Sequence, residues 1–155
     1  NILEEMKQEA AVEKVKEGLE WEKHIDAHVE GEEDRRLARA IVMAESSGDP
    51  TKVNAKSGAV GLMQILPSTA KQPGYGVEPF DGKDLHDQKK NITFGWNYFS
   101  GMRKHFGNNR DAHIAYNWGP GHTEDWLATG GDLQNIPKET RDYLGKIDNY
   151  GKEKP

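Results

Sequence analysis

The 155-residue chain has no cysteine. That excludes disulfide staples and thiolate chemistry, and leaves any metal to other ligands. No apolar run approaches the roughly 20 residues that a membrane-spanning helix needs, so no membrane span is expected. Charge of one sign is not in large excess: 26 acidic residues face 21 basic ones, for a formal net charge of -5. No basic cluster has interleaved aromatics, so nucleic acid is not an expected partner. There is no His-Glu-x-x-His. His24 and His28 stand at i and i+4, but without a third ligand at a useful spacing they read as two solvated histidines, and no metal or cofactor is expected. The chain also lacks an initiating methionine and an apolar leader. It opens on Asn1, as a processed product or a piece of a longer protein would.

What is present fits one domain, long enough to bury a core without disulfides. Residues 1–31 read as an N-terminal amphipathic arm. Leu3, Met6, Ala10, Val15, Leu19, Ile25 and Val29 recur at mostly helical spacing among many charges, in one or two helices that pack on their own domain or on a protein partner. Gly31-Glu32-Glu33 ends the arm, and Asp34 is expected to cap the next helix. A chain beginning near residue 32 is then expected to fold and stay active.

In that next helix Leu37, Ile41, Ala44 and Glu45 fall at i, i+4, i+7 and i+8, which puts Glu45 on the core-facing stripe. Gly48-Asp49-Pro50 stops the helix just beyond it, leaving the acid in the last turn near the negative end of the helix dipole. Desolvation and dipole both favour the neutral carboxyl, so Glu45 is expected to hold its proton near neutral pH and to serve as a general acid. The plain alternative is an exposed glutamate at a frayed helix end.

Residues 49–61 are rich in Pro, Asn, Ser and Gly, with Gly58 and Gly61 bracketing Ala59-Val60 as in a tight turn or short hairpin. Pro67-Ser68-Thr69-Ala70 opens a short helix, and residues 73–82 form a turn-rich passage in which Tyr75 either plugs the core or offers a platform to a sugar ring. From Asn91 a long helix carries Ile92, Gly95, Phe99, Met102 and Phe106 and ends at Gly107-Asn108-Asn109. A second runs from about Arg110 to Asn117, stopped by Trp118-Gly119-Pro120-Gly121. Tyr116 and Asn117 emerge at its end, where a turn exposes a hydroxyl and an amide. Pro137 begins a last helix carrying Tyr143, a candidate core residue, and residues 151–155 read as a tail.

Three ordered blocks stand out: Glu45-Ser46, Gly58-Ala59-Val60-Gly61-Leu62-Met63-Gln64, and Ala115-Tyr116-Asn117. They are followed by Ile136-Pro137 and Glu139-Thr140-Arg141, leading to Tyr143. Over roughly residues 35 to 147 the chain thereby resembles the soluble lytic transglycosylase domain of the goose-lysozyme-like superfamily. The resemblance implies a mainly α (α+β lysozyme-like) domain over 32–150, with helices around a substrate groove and a small β-hairpin lobe beside the catalytic helix. It implies Glu45 as the single catalytic acid and base. It implies that Ser46, Ser57, Met63, Gln64, Tyr116, Asn117 and Tyr143 bind substrate. Met63 and Gln64 would face the sugar, Asn117 the N-acetyl group beside the cleavage point, and Tyr143 would hydrogen-bond Glu45. One departure stands out. Family members commonly carry serine three residues before the first glycine of the middle block, where this chain has Ala55, so Asn54 or Ser57 takes that place.

The implied activity is cleavage of peptidoglycan glycan strands between N-acetylmuramic acid and N-acetylglucosamine without water, leaving 1,6-anhydro ends. The implied setting is a phage particle acting on the bacterial periplasm and cell wall, or the periplasm of a bacterium. Two other readings share these residues: a goose-lysozyme-like hydrolase, and a non-catalytic wall-binding or virion structural module. For the hydrolase, the candidates for a second carboxylate are Asp49, Asp111 and Asp142.

Overall fold

A computed structural model describes residues 1–152, apart from the side chains of residues 17–19. Leu19 and the tail residues 153–155 therefore lie outside the described residues.

The arm is one continuous helix, α1 (Ile2–His28), whose first free N–H groups are met by Asn1, which accepts from Glu4 N at 2.9 Å. Residues 1–16 are exposed throughout. The second part behaves differently. Trp21, Ile25 and Val29, at steps of four, enter the core at 5, 0 and 1% exposure. They continue one stripe of α1 and its C-terminal cap, packed against α4 (Gln88–Phe106) and α2 (Glu32–Ser46).

α2 (Glu32–Ser46) starts after Gly31 without a side-chain cap. Asp34, expected to be the cap, instead sits inside the first turn, because the helix begins two residues earlier. Its two carboxylate oxygens accept from the two terminal nitrogens of Arg103, at 2.8 and 2.9 Å. Two parallel charged hydrogen bonds of this kind fix direction as well as distance, and they tie α2 to α4. At its other end α2 stops where Ser47 turns left-handed and Gly48 follows at φ 81°.

The expected hairpin lobe is reduced to two antiparallel bridges, Val53 with Val60 and Val60 with Ile65. Gly61 makes it possible: its φ is 82°, and a Cβ there would come 2.6 Å from the Leu85 carbonyl oxygen. The lobe is held from below by the fully buried Asn91. Its Nδ2 donates to the carbonyls of Val60 and Leu85, and its Oδ1 accepts from Met63 N, all at 2.8 Å. Every group on that amide is used, as burial demands.

After α3 (Pro67–Lys71) comes α4 (Gln88–Phe106), which begins three residues before Asn91 because Asp87 caps it, and ends at left-handed Gly107. α5 (Asn109–Trp118) ends at Gly119, and α6 (Pro120–Ala128) starts at the very next residue. The Gly-Pro pair that stops one helix thus opens another, since proline has no N–H to lose at a first helical position. A short 3-10 turn, Leu133–Asn135, leads to α7 (Lys138–Lys152), which includes residues 151 and 152 of the expected tail. α2 packs on α7, α4 on α5, and α1 on α4. Ile41, Leu62, Met63, Ile92 and Phe99 are fully buried at the centre, and Ile114, Trp126 and Ile136 form a smaller satellite cluster.

Candidate active site

Glu45 stands in the last turn of α2, as its spacing predicts. It opens into a cavity of about 540 Å³ whose walls come from four places: the end of α2, the lobe (Lys52, Asn54, Gln64), the end of α5 (Asn117), and one stripe of α7. Protein surrounds the carboxyl while the residue stays half-buried. Burial pushes its pKa up from the usual 4.5 to about 8, against the opposing pull of Lys52, Tyr143 and Lys146, while Glu139 adds to the rise. The acid is therefore largely protonated at neutral pH.

The structure brings Gln64, Asn117 and Tyr143 into this cavity with Glu45. Gln64 has a left-handed backbone (φ 53°), and its Nε2 donates to the carbonyls of Gly61 and Lys52 at 3.0 and 3.1 Å. Asn117 Oδ1 accepts from the Thr140 hydroxyl at 2.9 Å, which orients the amide across from α7. The Tyr143 hydroxyl lies near enough to lower the Glu45 pKa, yet it is buried without a partner of good hydrogen-bond geometry.

Four expected contact residues do not line the cavity. Met63 is fully buried, with its side chain packed where α4 has Gly95: a Cβ on that glycine would lie 2.8 Å from Met63 Cβ. It faces the core and not substrate, because Gly95 leaves it room there. Tyr116 donates to the Met63 carbonyl at 2.7 Å, so its hydroxyl braces the lobe. Ser46 is buried, donating to the Val42 carbonyl at 3.1 Å and accepting from Gly48 N, and so closes the helix end. Ser57 is exposed and accepts from Ala59 N within the turn. Of the two residues flanking Ala55, Asn54 is the one in the cavity wall. Its Oδ1 is held by the N–H groups of Lys56 and Ser57, which leaves the amide nitrogen free of those bonds.

Residues that the motifs passed over are Lys52, Lys138 and Lys146, and Glu139, which stands in the last block, joins them without having been assigned a role. The α7 group had a signal: Glu139, Asp142, Tyr143 and Lys146 fall at i, i+3, i+4 and i+7, one helical face. Of the candidate second carboxylates, Asp142 lines the cavity, paired with Lys138 at 2.9 Å. Asp49 is exposed and bonded to Thr51 N and Oγ1, and Asp111 is buried in the first turn of α5 beside Arg110; neither reaches Glu45's cavity. A larger cavity of about 700 Å³, between α1, Pro79-Phe80 and α4, contains none of the motif residues.

The transglycosylase SLT domain family model matches residues 24–137. The chain belongs to this family. Its match begins at His24, within the part of α1 that packs on the core. The chain is 36% identical over 129 residues to the soluble lytic murein transglycosylase of Escherichia coli K12, across 73% of this chain and 19% of that protein. It is 40% identical over 77 residues to the membrane-bound lytic murein transglycosylase E of Buchnera aphidicola, across 47% of this chain and 34% of the relative. Among solved structures, the 70 kDa soluble lytic transglycosylase of Escherichia coli superposes with a TM-score of 0.69 at 31% identity, covering 83% of this chain and 23% of that one. The lytic transglycosylase Slt of Pseudomonas aeruginosa, solved as an inactive glutamate-to-glutamine mutant, superposes with a TM-score of 0.62 at 29% identity, covering 76% of this chain and 20% of that one. This SLT domain thus has the lysozyme-like helical fold, and it spans about a fifth of the soluble relatives' length.

Tyr143→Phe is expected to leave the melting temperature of this SLT domain unchanged or slightly raised. It removes a buried hydroxyl that has no good partner and keeps the ring in the core. On the activity proposed below, the same change is expected to lower the rate of cell-wall cleavage. A large fall in melting temperature in a thermal scan would make Tyr143 a structural residue alone.

Proposed function

We propose that this SLT domain is a peptidoglycan lytic transglycosylase that cleaves the β-1,4 bond from N-acetylmuramic acid to N-acetylglucosamine, with Glu45 as both acid and base. The observation that carries the reading is the Glu45 carboxyl itself, held neutral by burial at the mouth of a polar cavity. An acid that keeps its proton at neutral pH can pass it to a glycosidic oxygen. Gln64, Asn117 and Asn54 present side-chain amides to the same space, groups suited to an acetamido sugar. The names of the relatives agree, and one of them was rendered inactive by exchanging a glutamate for glutamine.

In the proposed course Glu45 protonates the leaving oxygen while the substrate's own acetamido group stabilises the cationic sugar, the exception to the usual two-carboxylate rule. Glu45, now a carboxylate, takes the proton of the sugar's C6 hydroxyl as that oxygen attacks C1 and closes the anhydro ring. An attacker carried on the substrate has the advantage of proximity over free water. The setting proposed is local degradation of the cell wall during phage entry, with the bacterial periplasm as the other home. The exposed first half of α1 is the surface proposed for a protein partner. A purely wall-binding or structural module has no need of a buried, protonated acid.

Hydrolysis is the competing reading, and one observation favours keeping it: Asp142 and Glu139 share the cavity with Glu45. An inverting hydrolase uses a second carboxylate at roughly 6.5 to 9.5 Å to activate water, and a retaining one at about 5 Å. Digestion of purified cell walls in ¹⁸O-labelled water decides between them. Anhydro-muramyl ends without label are expected, and mainly reducing, label-bearing ends would establish the hydrolase.

A further inference from the structure

Lys52 belongs to no motif, yet it touches the residue that carries the acid. Its ammonium donates to the main-chain carbonyl of Glu45 at 2.8 Å. That carbonyl is among the last four of α2, which the helix itself leaves without donors. Ser47 N closes onto the Met43 carbonyl and Asp49 N onto that of Ser46, so the chain turns away before any amide reaches Glu45. Lys52 supplies the missing donor, and with it a positive charge at the negative end of the helix.

The backbone of Lys52 is equally fixed. Its carbonyl accepts from Gly61 N at 2.8 Å and from Gln64 Nε2 at 3.1 Å, and the next residue, Val53, makes the first bridge of the lobe. One residue therefore links the lobe, the cavity wall and the end of the catalytic helix.

We propose that Lys52 is a positioning residue for the cleavage reaction: anchored on the carbonyl of Glu45, it clamps the lobe to the helix end and sets a fixed positive charge beside the carboxyl for the stage at which that carboxyl has lost its proton. The proposal rests on Glu45 acting as acid and base. An acid that must also work as a base needs its charged form to be reachable, and burial together with the helix end opposes that form. The charged and titratable groups facing Glu45 are Lys52 from the lobe, Tyr116 from α5, and Glu139, Tyr143 and Lys146 from α7. Among them Lys52 gives the largest opposition to the effect of burial. Lys138, also in the cavity wall, is already paired with Asp142.

The test compares wild type, Lys52→Met and Lys52→Arg, with ¹³C-labelled glutamate and the Glu45 carboxyl signal assigned through Glu45→Gln. Each protein is titrated by NMR, and kcat and KM are measured against pH on soluble glycan strands released from cell wall. Lys52→Met should raise the Glu45 titration midpoint by about half to one pH unit, discounted for the exposure of the lysine. It should lower kcat by up to about tenfold, the rate equivalent of one pH unit, with KM within about twofold. Lys52→Arg should restore most of both. An unmoved midpoint overturns the proposal, whether it comes with a lower melting temperature, which leaves a structural tie, or with a raised KM alone, which leaves a substrate contact. The titration needs no turnover, so the two readings fail separately. If Glu45→Gln abolishes cleavage and the midpoint stays put, only the role of Lys52 falls; if Glu45→Gln cleaves normally, both fall.

Discussion

Replacing Glu45 with glutamine is expected to leave a folded protein that cleaves cell wall at least about a hundredfold more slowly. Glutamine matches the side chain in size and keeps an acceptor, but it has no proton to give at neutral pH. The residue sits where the loss is felt: at the end of α2, in the cavity lined by Gln64, Asn117 and Tyr143. A stability signature accompanies the loss of rate. The native carboxyl titrates near 8 and the unfolded one near 4.5, so between those values the folded state binds more protons than the unfolded state. Stability then falls as pH rises through that window. Glu45→Gln removes this dependence, and the variant should gain on wild type steadily from about pH 5 to pH 8. Chemical denaturation at several pH values checks the slope, and turnover of purified cell walls checks the rate. Retained turnover would place the acid elsewhere, and identical pH dependence of stability in the two proteins would mean that Glu45 ionises as an ordinary exposed carboxylate.

Removing residues 1–31 is expected to abolish folding. The truncation takes away Trp21, Ile25 and Val29, which are at most 5% exposed. Cutting a single large buried side chain back to alanine costs about 2–5 kcal/mol, and domains of this kind have about 5–15 kcal/mol in all. Losing the three together, with the surface of α2 and α4 that they cover, exhausts that margin. A chain beginning at Lys14 keeps the packed half of α1 and is expected to fold with a melting temperature close to that of the whole. Far-ultraviolet circular dichroism with thermal scans of both truncations makes the comparison. A cooperative transition near the full-length value for the chain from residue 32 would restore residue 32 as the start of the domain.

That contrast marks the limit of what periodicity conveys. Val29, Ile25 and Leu3 share one apolar spacing in the sequence, and spacing alone predicts a helix with an apolar face. The helix formed, yet residues 1–16 are exposed and its later turns are core. The difference lies in what stands opposite each turn, and α2 and α4 lie opposite only the later ones.

The active site divides in the same way. Glu45 on the inward face of a helix about to end, the Gly-rich turn after it, and Asn117 near the end of α5 were all legible, because local signals set them: helical spacing, Gly and Pro stops, and a short motif. The direction of the Glu45 pKa shift, upward, followed from the same local facts. The identity of its neighbours did not. Met63 and Gln64 are adjacent in the chain, yet Gly95 on α4 draws Met63 into the core while Gln64 stays in the cavity wall. Asn54 rather than Ser57 reaches that wall because the turn spends the hydroxyl of Ser57 on Ala59 N. Asp142 and Lys146 line the same cavity as Glu45 because α7 packs along α2, a contact between residues about a hundred positions apart. The sequence by itself therefore determined most of the helices, the stops that Gly and Pro set, and the place of Glu45 in the last turn of α2, since those depend on neighbours within a few positions. The helix Pro120–Ala128 and the starts of α2 and α4 did not follow from it. Which side chains share a cavity with that acid, and which half of the first helix is core, depend on packing between distant segments, and only the tertiary structure decided them.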